Sequence, residues 1–196
     1  AHGIAGIAEN TPLQVRFTAP DSWDELLKAQ KLVAQMWKDI GVRVSVEIAA
    51  PRDLQGTWEE KGLEVQSRFE VDLWDDGYPG TDPTDYLIWR YASWAAPGPR
   101  NNNQGGNVMR FRNSEVDHLL QAALTQIDPR ERRTTLCQIG RILADERPML
   151  YLVYFTETHA LSPSLQNVVI NPNDALTWDA FNWQVSPLAK TGDYRR

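Results

Sequence analysis

The stretch LQVRFTAPDSWDELLKAQKLVAQMWKDIGVRVSVEI, residues 13–48, decides the architecture. Leu13, Val15 and Phe17 alternate with polar neighbours, the period-two pattern of a half-buried strand. Ser22 with Glu25 three residues later has the form of a capping box. Leu26, Ala29, Val33, Met36, Trp37 and Ile40 then recur at helical spacing, and Gly41 stands where a helix ends in left-handed backbone. Val42, Val44, Val46 and Ile48 alternate with Arg43, Ser45 and Glu47 as a second strand. Strand, helix and strand in so short a span make a βαβ unit, with parallel strands and a right-handed crossover.

Downstream, the pattern continues in kind. Pro51–Leu63 reads as a short helix broken near Gly56 and Gly62, and Phe69–Trp74 as a third strand. Residues 75–83 are dense in Asp, Gly and Pro, hence a loop. Asp82-Pro83 opens a helix with Leu87, Tyr91 and Trp94 on one face, and a second irregular stretch runs from Ala95 to Gly106. Ser114 with Asp117 opens a helix whose stripe is Val116, Leu119, Leu120, Ala123, Leu124 and Ile127. Asp128-Pro129 with Glu131 opens another, facing Leu136, Ile139, Gly140 and Leu143 inward, and Pro148 forbids its extension. Met149–Phe155 is nearly all apolar and rich in β-branched and aromatic residues, the pattern of a strand covered on both faces. The expected fold class is α/β: a small mixed sheet flanked by helices.

Composition narrows the function classes. The chain has 196 residues, with 20 Lys and Arg against 26 Asp and Glu, a net charge of −6. Such a chain has no general electrostatic attraction to nucleic acid or anionic lipid, so no nucleic-acid partner is expected. The single cysteine, Cys137, excludes an internal disulfide and reads as a buried, inert thiol beside the helix core. No apolar run approaches the length of a membrane span, and the start carries no secretory apolar region. Glycine-rich phosphate loops, H-E-x-x-H and G-x-S-x-G are missing, and His2, His118 and His159 are scattered. No catalytic residue, metal ligand or cofactor is therefore assigned.

The remaining chemistry is concentrated in two kinds of residue. Asp72, Asp75, Asp76, Asp82 and Asp85 flank Trp74 and Tyr78. Asp82 reads as a helix cap and Asp72 as a solvated residue. Asp75 and Asp76 occupy a Gly/Pro-rich loop at a strand end, where ligands of open α/β sheets bind. Eight tryptophans are many for this length. Trp37 belongs to a helix stripe and hence the core, and Trp89 lies off its helix face. Trp58, Trp74, Trp94, Trp178 and Trp183 lie in or beside loops, either lining a ligand site or filling core under the loops.

In order and spacing these segments resemble the C-terminal lobe of the family 5 extracellular solute-binding proteins, the receptors of peptide and nickel ABC importers. Residues 13–48 resemble the family's strand, helix and strand. Asp72-Leu73-Trp74-Asp75-Asp76-Gly77-Tyr78-Pro79, with Asp82-Pro83-Thr84-Asp85-Tyr86-Leu87, resembles its W-x-x-D-Y stretch. Asn107 to Leu120, then Asp128–Arg133 with Leu136, Ile139, Leu143 and Pro148, resemble its later helices. The resemblance implies a periplasmic-binding-protein-like lobe over residues 12–184, an N-terminal extension over 1–11 and a tail over 185–196. It implies a non-catalytic, periplasmic or extracellular domain that binds a small solute or oligopeptide. Its partners would be the N-terminal lobe of the same receptor and a membrane-embedded ABC permease. Trp74, Asp75, Asp76, Tyr78, Trp94 and Asn107 are the implied ligand-binding residues. The family's ammonium-holding aspartate falls at Gly77, which puts the role on neighbouring Asp76. Two readings stand beside this one: an acid-pair hydrolase using Asp75 and Asp76, and a protein-interaction domain with exposed tryptophans.

Overall fold

A computed structural model describes residues 11–186 apart from 79, 81, 155, 157, 172 and 173. The expected extension over 1–11 lies outside the described residues except for Thr11, and so does the expected tail from residue 187 on. The described chain packs as two units, one up to Gly77 and continuing over Thr84–Pro148, the other Tyr78–Pro83 with the chain from Met149 on.

The first unit is built on the βαβ element. β1 (Gln14–Pro20) pairs in parallel with β2 (Arg43–Ala49) over seven residues, Gln14 opposite Arg43 through Pro20 opposite Ala49. The connecting α1 (Asp24–Asp39) ends at Gly41, whose φ of +92° is left-handed backbone that a side chain would strain. The helix start differs from expectation. Trp23 is the N-cap, with no side-chain cap bond, so Ser22 and Glu25 form no capping box. Asp24 and Glu25 instead place negative charge in the first turn, where the helix dipole favours it. α1 is fastened to the sheet by Gln30, fully buried, whose amide donates to the Phe17 carbonyl at 2.7 Å and the Glu47 carbonyl at 2.8 Å. Trp37 is half-buried rather than a deep core residue, and its ring stacks on Phe17 at 5.3 Å.

α2 (Pro51–Gln55) is shorter than the pattern predicts and stops at Gly56. The third strand contracts to β3 (Val71–Asp72), parallel to β1, so the sheet order is β2-β1-β3. α3 (Thr84–Tyr91) buries Thr84 and Tyr91, and Arg132 donates to the Thr84 hydroxyl at 3.2 Å. α4 (Ser114–Thr125) is capped by Asn113, one residue before the expected position. Its carboxamide oxygen accepts from the N–H groups of Glu115 and Val116. Asp117 is thereby released to cap elsewhere and accepts from both Ser93 N–H and the Ser93 hydroxyl. α5 (Pro129–Glu146) begins as expected, with Asp128 as cap, accepting from Arg130 N–H at 2.7 Å, and Pro129 in the first turn. Val116, Leu120, Ala123 and Ile139 are buried, whereas Ile127 is 95% exposed and Cys137 is exposed. The sequence reading of Cys137 as buried fails because position 137 falls on the outer side of α5, two residues from buried Thr135 and Ile139.

In the second unit β4 (Leu165–Gln166) pairs antiparallel with β5 (Gln184–Val185). Buried Asp179 organises the segment between them, accepting from Trp183 Nε1 at 2.8 Å and Val169 N–H at 3.2 Å. The expected strand over Met149–Phe155 does not form. Residues 149–154 belong to no strand, and Leu150 to Tyr154 are all exposed, Tyr154 by 93%. Phe155 lies outside the described residues. Apolar and β-branched composition records fitness for a pleated, covered surface, but a strand exists only where a neighbour takes its hydrogen bonds. Among the described residues no strand pairs with this run.

Candidate functional site

Two short connections bring the chemistry of the first unit together. β3 runs parallel to β1, with Asp72 opposite Thr18, and Leu73 N–H donates to the Thr18 carbonyl at 3.0 Å. The loop carrying Trp74, Asp75 and Asp76 therefore leaves the sheet at the carboxyl ends of parallel strands, where such sheets bind ligands. α3 supplies the opposing groups. Tyr86 and Arg90 are one helical turn apart on it, so both reach the same loop. The Tyr86 hydroxyl donates to Asp76 Oδ2 at 2.8 Å, and Arg90 Nε lies 3.0 Å from the same oxygen. That ion pair lacks the angle of a hydrogen bond. Asp76 Oδ1 accepts from Gly77 N–H at 3.0 Å. The Arg90 guanidinium carbon stands 5.6 Å from the Trp74 ring centroid, within cation–π range.

Behind this loop sits an acid pair that the sequence did not reveal. Both oxygens of Asp72 and Oε1 of Glu64 are buried and receive no hydrogen bond from a donor group. The two carboxyls face one another. Two ionised carboxylates buried side by side with no donor repel one another, which favours one proton held between them. Burial, then the charge of Glu64, pushes Asp72 up to about 8. Glu64 is also raised, by burial first, against the hydrogen bond from Asp72 and the positive charge of Arg90. Reading Asp72 as a solvated residue therefore fails, because turns over residues 58–67 fold Glu64 back against β3.

The predicted ligand residues separate into different environments. Trp74 is half-buried, Asp75 is exposed, and the Asp76 side chain is 19% exposed and held as above. Trp94 lies in a short 3-10 turn, Ser93–Ala95, and is 42% exposed. Asn107 is fully buried. Its amide donates to the carbonyls of Ala92 and Phe111, both at 2.9 Å, and its oxygen accepts from Phe111 N–H at 2.9 Å. Its polar atoms thus brace the loop between α3 and α4. Gly105, at φ +128°, lets the chain pass the Ala95 carbonyl, and Gly106 lies against the Trp89 indole, leaving no room for a Cβ. Tyr78 is half-buried and belongs to the second unit. That unit holds an open hollow of about 600 Å³ lined in part by Asn167, Phe181 and Trp183. Its buried carboxylate, Asp179, is already committed to Trp183 and Val169.

Sequence reasoning missed Glu64, Tyr86 and Arg90. The four-residue spacing of Tyr86 and Arg90 was a signal that one helix face meets the acidic loop. Glu64, in a turn-rich stretch without periodicity, gave none. Among the described residues no three His, Cys, Asp or Glu side chains converge as metal ligands, and no helix is long and apolar enough to cross a membrane.

No protein-family model matches the chain, and no curated protein sequence matches it. Solved structures do. The oligopeptide-binding protein AppA from Bacillus subtilis, in complex with a nonapeptide, superposes with a TM-score of 0.67 at 16% identity, covering 95% of this chain and 35% of that one. NikZ from Campylobacter jejuni, in complex with Ni(L-His), gives 0.64 at 17%, covering 87% and 33%. The Escherichia coli murein tripeptide binding protein MppA gives 0.56 at 21%, covering 73% and 25%. The chain spans about a third of the length of AppA and NikZ. At these identities the likeness establishes the fold: a mixed α/β lobe of the periplasmic-binding-protein kind.

Proposed function

We propose that this chain is the substrate-binding lobe of an extracytoplasmic solute receptor feeding an ABC importer, and that its solute is an oligopeptide. The observation that carries the reading is the match of 95% of the chain to one part of a receptor holding a nonapeptide. The Trp74–Asp76 loop at the carboxyl edge of the sheet supports it, because a half-buried indole beside a polar loop is an amphipathic wall for a bound solute. A nickel chelate is the second solute class, favoured by the likeness to NikZ. The partners are the other lobe of the receptor and a membrane-embedded permease, and the compartment is periplasmic or extracellular. In a two-lobe receptor the ligand touches both walls only when the hinge is closed, so its binding energy biases closure. An isolated lobe has half of those contacts and binds weakly.

The hydrolase reading is not favoured. Asp76 has both oxygens engaged, by Gly77, Tyr86 and Arg90, so it is not open to activate water for Asp75. The test is calorimetry on the complete receptor with oligopeptides and with nickel–histidine. Trp74→Ala is expected to weaken binding by about tenfold or more, the usual cost of removing a central aromatic anchor. Unchanged affinity would remove this loop from the site, and turnover of a peptide without a transporter would favour the enzyme.

A further inference from the structure

The acidic loop does not hold two equivalent carboxylates. Asp75 is exposed. Asp76 is committed on both oxygens, and the side chains that commit it are themselves anchored. Arg90 is only 16% exposed at its side chain, and its Nη1 reaches the Gly106 carbonyl at 3.5 Å. Gly106 in turn lies against Trp89. α3, which carries Tyr86 and Arg90, is pinned at its ends by buried Thr84 and Tyr91. A planar guanidinium held by a carboxylate and set over an indole restrains that ring, because the ring face attracts the cation and partial burial strengthens the attraction.

We propose that Asp76 is a positioning residue: with Tyr86 it holds Arg90 over Trp74, so this corner meets a solute with an oriented indole and not with a carboxylate for an ammonium group. An ammonium arriving at Asp76 has to displace Arg90, which exchanges one ion pair for another and leaves a partly buried guanidinium uncompensated. The solute class follows: a segment recognised here by planar or apolar surface, such as an N-blocked or internal stretch of peptide, rather than by a free N-terminus. This solute class rests on the ligand-binding reading above; the positioning role does not.

Fluorine NMR of the chain labelled with 5-fluorotryptophan tests both parts. Trp74→Phe identifies the Trp74 resonance among the eight. Asp76→Asn and Arg90→Gln are each expected to move that resonance toward the position of a solvent-exposed indole while the other seven stay in place. Arg90→Lys, which keeps the charge and loses the planar fork, is expected to restore it in part. A Trp74 resonance unmoved by both Asp76→Asn and Arg90→Gln, or a general shift of all resonances, overturns the positioning role. Trialanine and N-acetyl-trialanine at millimolar concentration are then titrated against the wild-type chain. A Trp74 response to the acetylated peptide at least equal to that of the free one supports the solute class, and a response confined to the free amine overturns it. A response to neither peptide overturns the solute class for this corner, calorimetry on the complete receptor judges the peptide reading by itself, and the variants judge the positioning role alone.

Discussion

Replacing Asp72 by Asn makes the shared proton of the acid pair permanent in effect, because the carboxamide can donate to Glu64 at every pH. In the wild-type chain the folded state holds that proton up to about pH 8, while the unfolded chain releases it in the ordinary aspartate range near 4. The folded carboxyl is raised, so its contribution is fully present below the unfolded value and lost as pH rises toward 8. With one more proton bound in the folded state, stability falls with pH by at most about 1.4 kcal/mol per pH unit. Incomplete burial and water entry on ionisation reduce the loss between pH 5 and 8 to about 2 kcal/mol. Glu64, also raised, acts in the same direction. The exposed carboxylates Glu60 and Glu70 are lowered by their hydrogen bonds to Thr57 and Arg16, so they titrate below this window. Urea unfolding of both chains at pH 5, 6, 7 and 8 isolates the acid pair, since titrating groups outside it cancel in the difference. The Asp72→Asn variant is expected to match the wild type near pH 5 and to exceed it by about 2 kcal/mol near pH 8. Parallel stability curves for the two chains would refute the shared proton, and so would a wild-type advantage that grows with pH.

Three further outcomes follow from the packing. Asn107→Ala removes three buried hydrogen bonds and leaves the Ala92 and Phe111 backbone groups unpaired, and is expected to cost about 3 kcal/mol in chemical denaturation. Asn113→Ala uncaps α4 and breaks the bond from Asn113 to Glu146, with an expected loss of about 1 to 2 kcal/mol; no change would mean that water replaces the cap. Cys137 is expected to react with a thiol reagent in the native chain at a rate close to that in urea, whereas strong native protection would place it in a buried environment.

How much was legible depended on whether a feature is local. Hydrophobic period and turn chemistry act within a few residues, so residues 13–48 yielded the parallel βαβ unit, Gly41 the end of α1, and Asp128-Pro129 the start of α5. Cap identity was legible only to within one residue, because Asn113 and Ser114 are both competent caps and only the position of Ser93 gave Asp117 another partner. Trp74 and Asp76 were singled out by the loop at a strand end together with the resemblance to the solute-binding proteins, and neither carries information on who neutralises a carboxylate.

By itself, then, the sequence determined the β1-α1-β2 unit, the helices α3, α4 and α5, and that an aromatic and acidic loop follows β3, since these depend on near-neighbour sterics and on which face is apolar. Only the tertiary structure decided that Arg90 and Tyr86 close on Asp76, that Glu64 folds against Asp72, and that residues 149–154 belong to no strand. Each of those rests on a partner in another element or turn, or on a strand that no local pattern supplies, and both a carboxylate's charge state and a strand's existence are properties of the partner as much as of the residue.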